Sequence, residues 1–370
     1  MDIKKDKRVV LTLDAGGTNF VFSAIQGGEE IAEPVTLSAS PHDLNKSLHT
    51  ITEGFKKIAT NIKEHPSAIS FAFPGPADYP KGIIGDLANL PCFRGGVALG
   101  PMLEEQFKIP VFINNDGDLF AYGEAIAGFL PKVNRLLAEA GSPKQYKNLF
   151  GITLGTGYGG GLVRNGELYI GDNAAATEIW AMHNKKYPHS FAEEGVSIRA
   201  VRRVYAEHAD LDFNKSPEPK EIYAIAAGEM KGNQKAAVTA FEELGEMIGD
   251  TLANAVTLVD SLIVIGGGLT GAHRFFFPAI IKEMNRTVET LNGDTIDRLV
   301  MKAFNLEDAK DRESFLKGET KTITVPDSSK KIKYDPLKRT GIGLSVLGTS
   351  TAVSIGAYAF ALHALDTKKI

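Results

Sequence analysis

Two glycine-rich bends of the same construction, far apart in the chain, restrict its fold more than any other feature. The first is Asp14-Ala15-Gly16-Gly17-Thr18-Asn19, entered from Val9-Val10-Leu11-Thr12-Leu13 and left through Phe20-Val21-Phe22-Ser23-Ala24-Ile25. Its β-branched and aromatic flanks predict two strands. The second runs from Phe150-Gly151-Ile152-Thr153-Leu154 through Gly155-Thr156-Gly157-Tyr158-Gly159-Gly160-Gly161 to Leu162-Val163, with an Asn165-Gly166 turn and Glu167-Leu168-Tyr169-Ile170 behind it. Both read as strand, bend, strand. Glycines let backbone N–H groups approach an anion, and the hydroxyls of Thr18 and Thr156 add donors. Two such hairpins suit a nucleotide gripped from two sides. Gly155, Gly157 and Gly160 also satisfy G-x-G-x-x-G, but a dinucleotide site needs a helix straight after the bend, and Asn165-Gly166 signals a hairpin instead. For either bend alone, a tight turn without a ligand is the competing reading; it weakens when both occur together.

Composition narrows the class. At 370 residues there is room for two domains with separate cores. With 43% hydrophobic and 23% charged residues, the make-up is that of an ordinary soluble globular protein. A formal charge of -4 gives no electrostatic case for nucleic acid or an anionic membrane. One cysteine, Cys92, excludes an intrachain disulfide and a zinc site built from several thiolates of this chain. The N-terminal lysines are followed only by Val9 to Leu13 as an apolar core, too short for an export signal, so the cytoplasm is expected. The uncharged run Gly341 to Leu365 approaches membrane-spanning length, but Ser345, Thr349, Ser350, Thr351, Ser354 and several glycines predict a tightly packed interior helix.

Along the chain, Leu44 to Lys63 predicts an amphipathic helix and Ala68 to Phe73 a strand closed by the rigid Pro74-Gly75-Pro76-Ala77-Asp78 loop. A short helix is expected at Met102 to Phe107. The strand Val111-Phe112-Ile113 delivers Asn114-Asn115-Asp116 at its C-terminal end, ahead of a helix from Leu119 to Phe129. In α/β sheets that is where reacting groups collect, although an acid there also serves as a helix cap. Helices follow at Ser197 to His208 and Lys235 to Val259, with an exposed loop at Asp210 to Lys220. The buried strand Ser261 to Ile265 then leads through Gly266-Gly267-Gly268-Leu269-Thr270-Gly271 to a helix from Arg274 to Met284. This third glycine segment matches G-x-G-x-x-G with the right context, and nucleoside packing is favoured over an independent dinucleotide site. Asn305 to Arg339 is highly charged and reads as a solvated surface insertion, with one strand at Thr322 to Val325.

Taken together, these pieces resemble the ROK family of sugar kinases, within the hexokinase, Hsp70 and actin superfamily. The resemblance runs from Leu11 to about Ala361 without Asn305 to Arg339. Its most specific parts are D-x-G-G-T-N at Asp14 to Asn19 and L-G-T-G-x-G-G-G at Leu154 to Gly161; Asn115-Asp116, Gly123-Glu124 and Ile265-Gly266-Gly267-Gly268 follow in the family's order. It implies an α/β fold of two actin-like, ribonuclease H-like domains with an active-site cleft between them, and transfer of the ATP γ-phosphate to a hexose or N-acetylhexosamine hydroxyl, O6 by analogy with glucokinase. Asp116 would be the general base. Asp14 would hold Mg²⁺ through water. Gly16, Gly17, Thr18 and Asn19 from one side and Gly155, Thr156 and Gly157 from the other would position the phosphates, with Gly267 and Gly268 against the adenosine. The sugar would meet Asn89, Asn115, Asp116, Glu178 and Glu193, with Glu194 a rival for the last.

The chain departs from the family where Glu-x-Gly-His becomes Glu178-Ile179-Trp180-Ala181 and the cysteine-rich zinc motif is missing, so no structural zinc is expected. His183 lies out of register, and Trp180 reads as a core residue before it reads as a sugar cover. Only thirteen residues precede Asp14, so the DNA-binding part of the family's repressors is not expected. A catalytically silent sugar or nucleotide sensor is the remaining alternative, disfavoured by intact Asp14 and Asp116. The expected partners are sugar and ATP, and the resemblance leaves a homodimer open. The expected domains are 1–117 with 343–370, and 118–342.

Overall fold

The first expected hairpin forms from β1 (Val9–Ala15) and β2 (Asn19–Gln26), paired antiparallel from Val10 with Ile25 to Ala15 with Phe20. The structure is a computed structural model that describes residues 3–16, 18–87 and 90–367. The chain continues through β3 (Glu29–Glu30), β4 (Val35–Ser38), α1 (Leu44–Thr60), β5 (Pro66–Ala72), β6 (Ala77–Asp78), β7 (Ile83–Ile84), α2 (Leu99–Phe107), β8 (Val111–Asn114) and α3 (Asp116–Ile126). Next come α4 (Phe129–Glu139), β9 (Asn148–Leu154), β10 (Tyr158–Arg164), β11 (Glu167–Tyr169), α5 (Ile198–Ala209), α6 (Pro219–Ala226) and α7 (Gln234–Val259). The remainder is β12 (Leu262–Gly266), α8 (His273–Met284), β13 (Thr287–Glu289), β14 (Thr295–Asp297), β15 (Lys302–Asn305), α9 (Ala309–Lys317), β16 (Lys321–Thr324), β17 (Lys331–Tyr334), β18 (Arg339–Leu344) and α10 (Thr349–Thr367). The chain divides into two compact units: Met1–Gly128 with Gly161–Ala176 and Leu347–Ile370, and Phe129–Gly160 with Thr177–Val346.

In the first unit the strand order is β3-β2-β1-β5-β8, with β4 on β2; β1, β5 and β8 run parallel. Strand alternation sends Val9, Leu11 and Leu13 to one face, where they join Phe20 and Phe22 of β2 and Ile51, Phe55 and Ile58 of α1 in one core. Phe55 stands edge-on to Phe22 at 5.1 Å and is fully buried, worth about 2–3 kcal/mol against exposure. The same alternation puts Thr12, Asp14 and Ser23 on the opposite face. There α10 crosses α3 at two glycines: a Cβ on Gly123 would overlap the Ala352 carbonyl, and one on Gly356 the Leu119 carbonyl. That close approach seats α3, whose first residue is Asp116.

In the second unit β9, β12, β18 and β15 lie side by side and parallel. The β9 to β10 bend is the second glycine hairpin, and β10 carries the chain into the first unit at Gly161. The helices α7 and α8 pack at Gly245, where a Cβ would overlap the Phe276 carbonyl.

Three expectations change. The helix expected at Leu119 to Phe129 begins at Asp116 and ends at Ile126, and Phe129 opens a new helix that tolerates Pro131 in its first turn. The uncharged run from Gly341 is strand β18 before it is helix α10, because glycines without side chains conceal the pairing of Ile342 and Leu344 with β12. The charged segment is only partly a surface insertion: β16 and β17 are exposed throughout, but Arg339 is buried in an ion pair with Asp335 at 2.6 Å. Among the described residues no helix is long and apolar enough to cross a membrane.

Candidate active site

The first bend is closed by its own backbone. Gly16 N–H donates to the Asn19 carbonyl at 3.0 Å, and Ala39 N–H to the Thr18 carbonyl at 2.9 Å. A Cβ on Gly16 would stand 2.9 Å from that Asn19 oxygen, which is why the position is glycine. Thr18 and Asn19 are exposed at the tip, and Asp14, near the end of β1, is exposed as well. Gly17 and Asn89 lie outside the described residues.

Asp14 and Asp116 open on one cavity of about 690 Å³ in the first unit, which is also lined by Thr12, Ser23, Pro74, Ser350 and Ser354. Whether Asp116 is merely a helix cap is answered by its neighbour. Asn115 is the N-cap, its Oδ1 accepting from Gly117 N–H at 2.8 Å while its Nδ2 donates to the Tyr79 hydroxyl at 3.3 Å. Tyr79 in turn donates to the Phe73 carbonyl at 3.0 Å, tying the Pro74 loop, with its cis Gly75–Pro76 bond, to the start of α3. Asp116 thereby keeps an accessible carboxylate, which accepts from Gly117 N–H at 2.9 Å. The carboxyl has surface exposed to the cavity yet sits in a concavity walled by protein. That enclosure raises its pKa above the ordinary carboxylate range; the Gly117 hydrogen bond opposes the rise, and the charge on Asp14 adds to it.

In the second unit the glycine turn is equally tight: Gly155 N–H donates to the Gly157 carbonyl at 3.1 Å, and Ile198 N–H to the Gly155 carbonyl at 2.9 Å. Gly267, with φ 96°, lies so close to Leu154 that a Cβ would overlap its backbone, so the Gly266 to Gly268 segment abuts the turn. Cβ atoms built on Gly155 and Gly268 meet nothing within 4 Å, leaving open space over both segments. Donor-rich backbone beside open space is what phosphate and adenosine require.

Two short 3₁₀ segments pack together, Ile179–Ala181 with Glu178 as its N-cap and Ala192–Glu194 with Glu193 inside it. Glu193 Oε2 accepts from Tyr158 N–H at 3.0 Å and would lie 3.0 Å from a Cβ on Gly157. Glu194 instead pairs with Arg199 and Arg203. Of the two rivals, Glu193 therefore stands at the glycine turn. Glu178 is exposed at the apex of an inverse γ-turn, with φ -67° and ψ 62°, in which Ile179 N–H donates to the Thr177 carbonyl at 2.6 Å. Thr177 itself has φ 64°, a costly setting for a β-branched residue and one that sequence does not announce. Trp180 is not a core residue: it is 40% exposed and its Nε1–H donates to Glu178 Oε2. His183, exposed, has its Nε2 3.2 Å from the Pro188 carbonyl oxygen. Glu124, matched in sequence, has a structural position, fully buried and accepting from Leu347 N–H at 2.9 Å.

An α/β chain with a glycine hairpin in each unit and an accessible carboxylate at a helix start has the parts of a nucleotide-dependent phosphotransferase. The chain belongs to the ROK family, whose model matches residues 10–309. A crystal structure of a glucokinase from Parabacteroides distasonis superposes with a TM-score of 0.90 at 56% identity, over 98% of this chain and 99% of that one. The fold is thus the expected pair of actin-like α/β domains. An N-acetyl-D-glucosamine kinase from Photobacterium profundum is 28% identical over 70% of this chain and 83% of its own length. A glucokinase from Halalkalibacterium halodurans is 27% identical over 70% and 80%.

Proposed function

We propose that this chain is an ATP-dependent sugar kinase that transfers the γ-phosphoryl group to O6 of a hexose or N-acetylhexosamine. The observation that carries the reading is the Asp116 carboxyl, released from capping by Asn115 and open on the same cavity as Asp14. In this reading Asp116 accepts the proton of the sugar hydroxyl as the bond to phosphorus forms, and its raised pKa brings it nearer to the base strength that step needs at neutral pH. The open space over Gly155 and Gly268 fits ATP, with Gly155 to Gly157 and Gly16 to Asn19 on the phosphates and Gly267 and Gly268 at the adenosine. The hard carboxylate oxygens of Asp14, open on the cavity it shares with Asp116, fit Mg²⁺ held through water. When bound, the ion offsets the charge of the phosphates. Asn115 has one amide N–H left for a sugar oxygen after its bond to Tyr79, and Glu178 and Glu193 supply acceptors for sugar hydroxyls; the family resemblance adds Asn89 to that set. ATP as donor favours the cytoplasm as the place of action.

A coupled ADP-release assay across glucose, mannose, fructose, allose, N-acetylglucosamine and N-acetylmannosamine tests this. At least one sugar is expected to raise ADP release far above the sugar-free rate. ATP binding with no response to any of the six would favour the silent sensor.

A further inference from the structure

Trp180 is the single tryptophan of the chain, and its ring lies at the surface rather than in either core. It is nonetheless held firmly. Phe191 meets it edge-on at 5.7 Å and 89°, and the Phe191 carbonyl accepts from the buried Asn184 amide at 3.1 Å. Ala192 N–H donates to the Met182 carbonyl at 2.7 Å, closing the segment into a loop. Lys185 pins that loop to Glu246 and Glu283 at 2.8 Å each, and Lys186 to Glu243 at 2.9 Å. So much fixation around an exposed ring adds little apolar burial; its local result is a fixed direction for the indole N–H.

That N–H ends on Glu178 Oε2. From this geometry we infer that Trp180 is a positioning residue for the sugar, setting the Glu178 carboxylate so that Oε1 is left to accept from substrate hydroxyls. An indole nitrogen donates and never accepts, so it can hold one carboxylate oxygen without competing for the hydroxyl protons the other must receive. The strained Thr177 and the γ-turn fix the backbone of Glu178, and Trp180 fixes its side chain. The inference rests on the sugar-kinase reading and on Glu178 meeting the sugar.

Kinetics and emission test it together. Trp180→Phe keeps an aromatic ring against Phe191 and removes the donor; it is expected to raise the sugar KM about tenfold, with a smaller change in kcat and none in the KM for ATP. Trp180→His, which restores a ring N–H, should recover part of the loss. Because no other tryptophan contributes, saturating sugar should shift the emission of the wild-type chain, and Glu178→Gln should abolish the shift. A sugar KM unchanged in Trp180→Phe, or wild-type emission indifferent to saturating sugar, overturns the inference. If Trp180→Phe melts well below the parent, the emission titrations decide alone. Absence of sugar-dependent ADP release from the wild type overturns the kinase reading instead.

Discussion

At the scale of single residues, the raised pKa of Asp116 makes two opposite demands. As a base it must be ionised, so kcat/KM should fall with decreasing pH through a value above the ordinary carboxylate pKa of about 3.9. Stability moves the other way. A carboxyl whose folded pKa exceeds its unfolded one contributes most below the unfolded value, and the contribution is lost as pH rises through the folded value. Asp116→Asn should therefore melt higher than the parent at pH 7 in a thermal scan; a lower melting temperature would contradict the enclosure described for this carboxyl. The sequence made Asp116 visible as an acid at a strand end, but not that Asn115 takes over the capping. It named Glu193 and Glu194 without separating them, since only the fold shows that Arg199 and Arg203 claim one and Tyr158 N–H the other.

Elements place these residues by unusually close packing. Gly123 and Gly356 let α3 and α10 touch backbone to backbone, and α3 begins at Asp116. In an exposed helix, glycine to alanine would stabilise by roughly 0.5–1 kcal/mol. Here Gly123→Ala and Gly356→Ala should each destabilise by about 1–3 kcal/mol in denaturant titration, because the added methyl has a carbonyl oxygen in its place. Both hairpins, α1 and α7 were legible because their hydrophobic spacing repeats at the period of the element they form. Strand β18 was not, since its alternating glycines carry no side-chain pattern and the apolar helix after it extends the run. The γ-turn at Glu178 was hidden for a different reason: threonine rarely takes a positive φ, and nothing in its neighbours in sequence signals that it does.

For the molecule as a whole, the charged segment separates what the fold needs from what it tolerates. Replacing 322–333 by a short turn should change stability by only about 0.5 kcal/mol, since both strands there are exposed. Asp335→Ala, a few residues on, should cost about 3–5 kcal/mol by leaving the Arg339 guanidinium buried without its anion. Burial alone would raise the Asp335 pKa, but the Arg339 hydrogen bond and charge, together with the Glu319 and Leu337 backbone N–H groups, outweigh it and hold the carboxyl low. Its contribution is thus present above the ordinary value and is lost as pH falls through the lowered one. The central claim is that one carboxylate at the start of α3 takes the sugar's proton, and turnover of Asp116→Asn measured beside its affinities tests it most directly. A fall in kcat of roughly 10²–10⁴ with sugar and nucleotide affinities kept is the expected result; an amide variant that still releases ADP within a few-fold of the parent rate would contradict it.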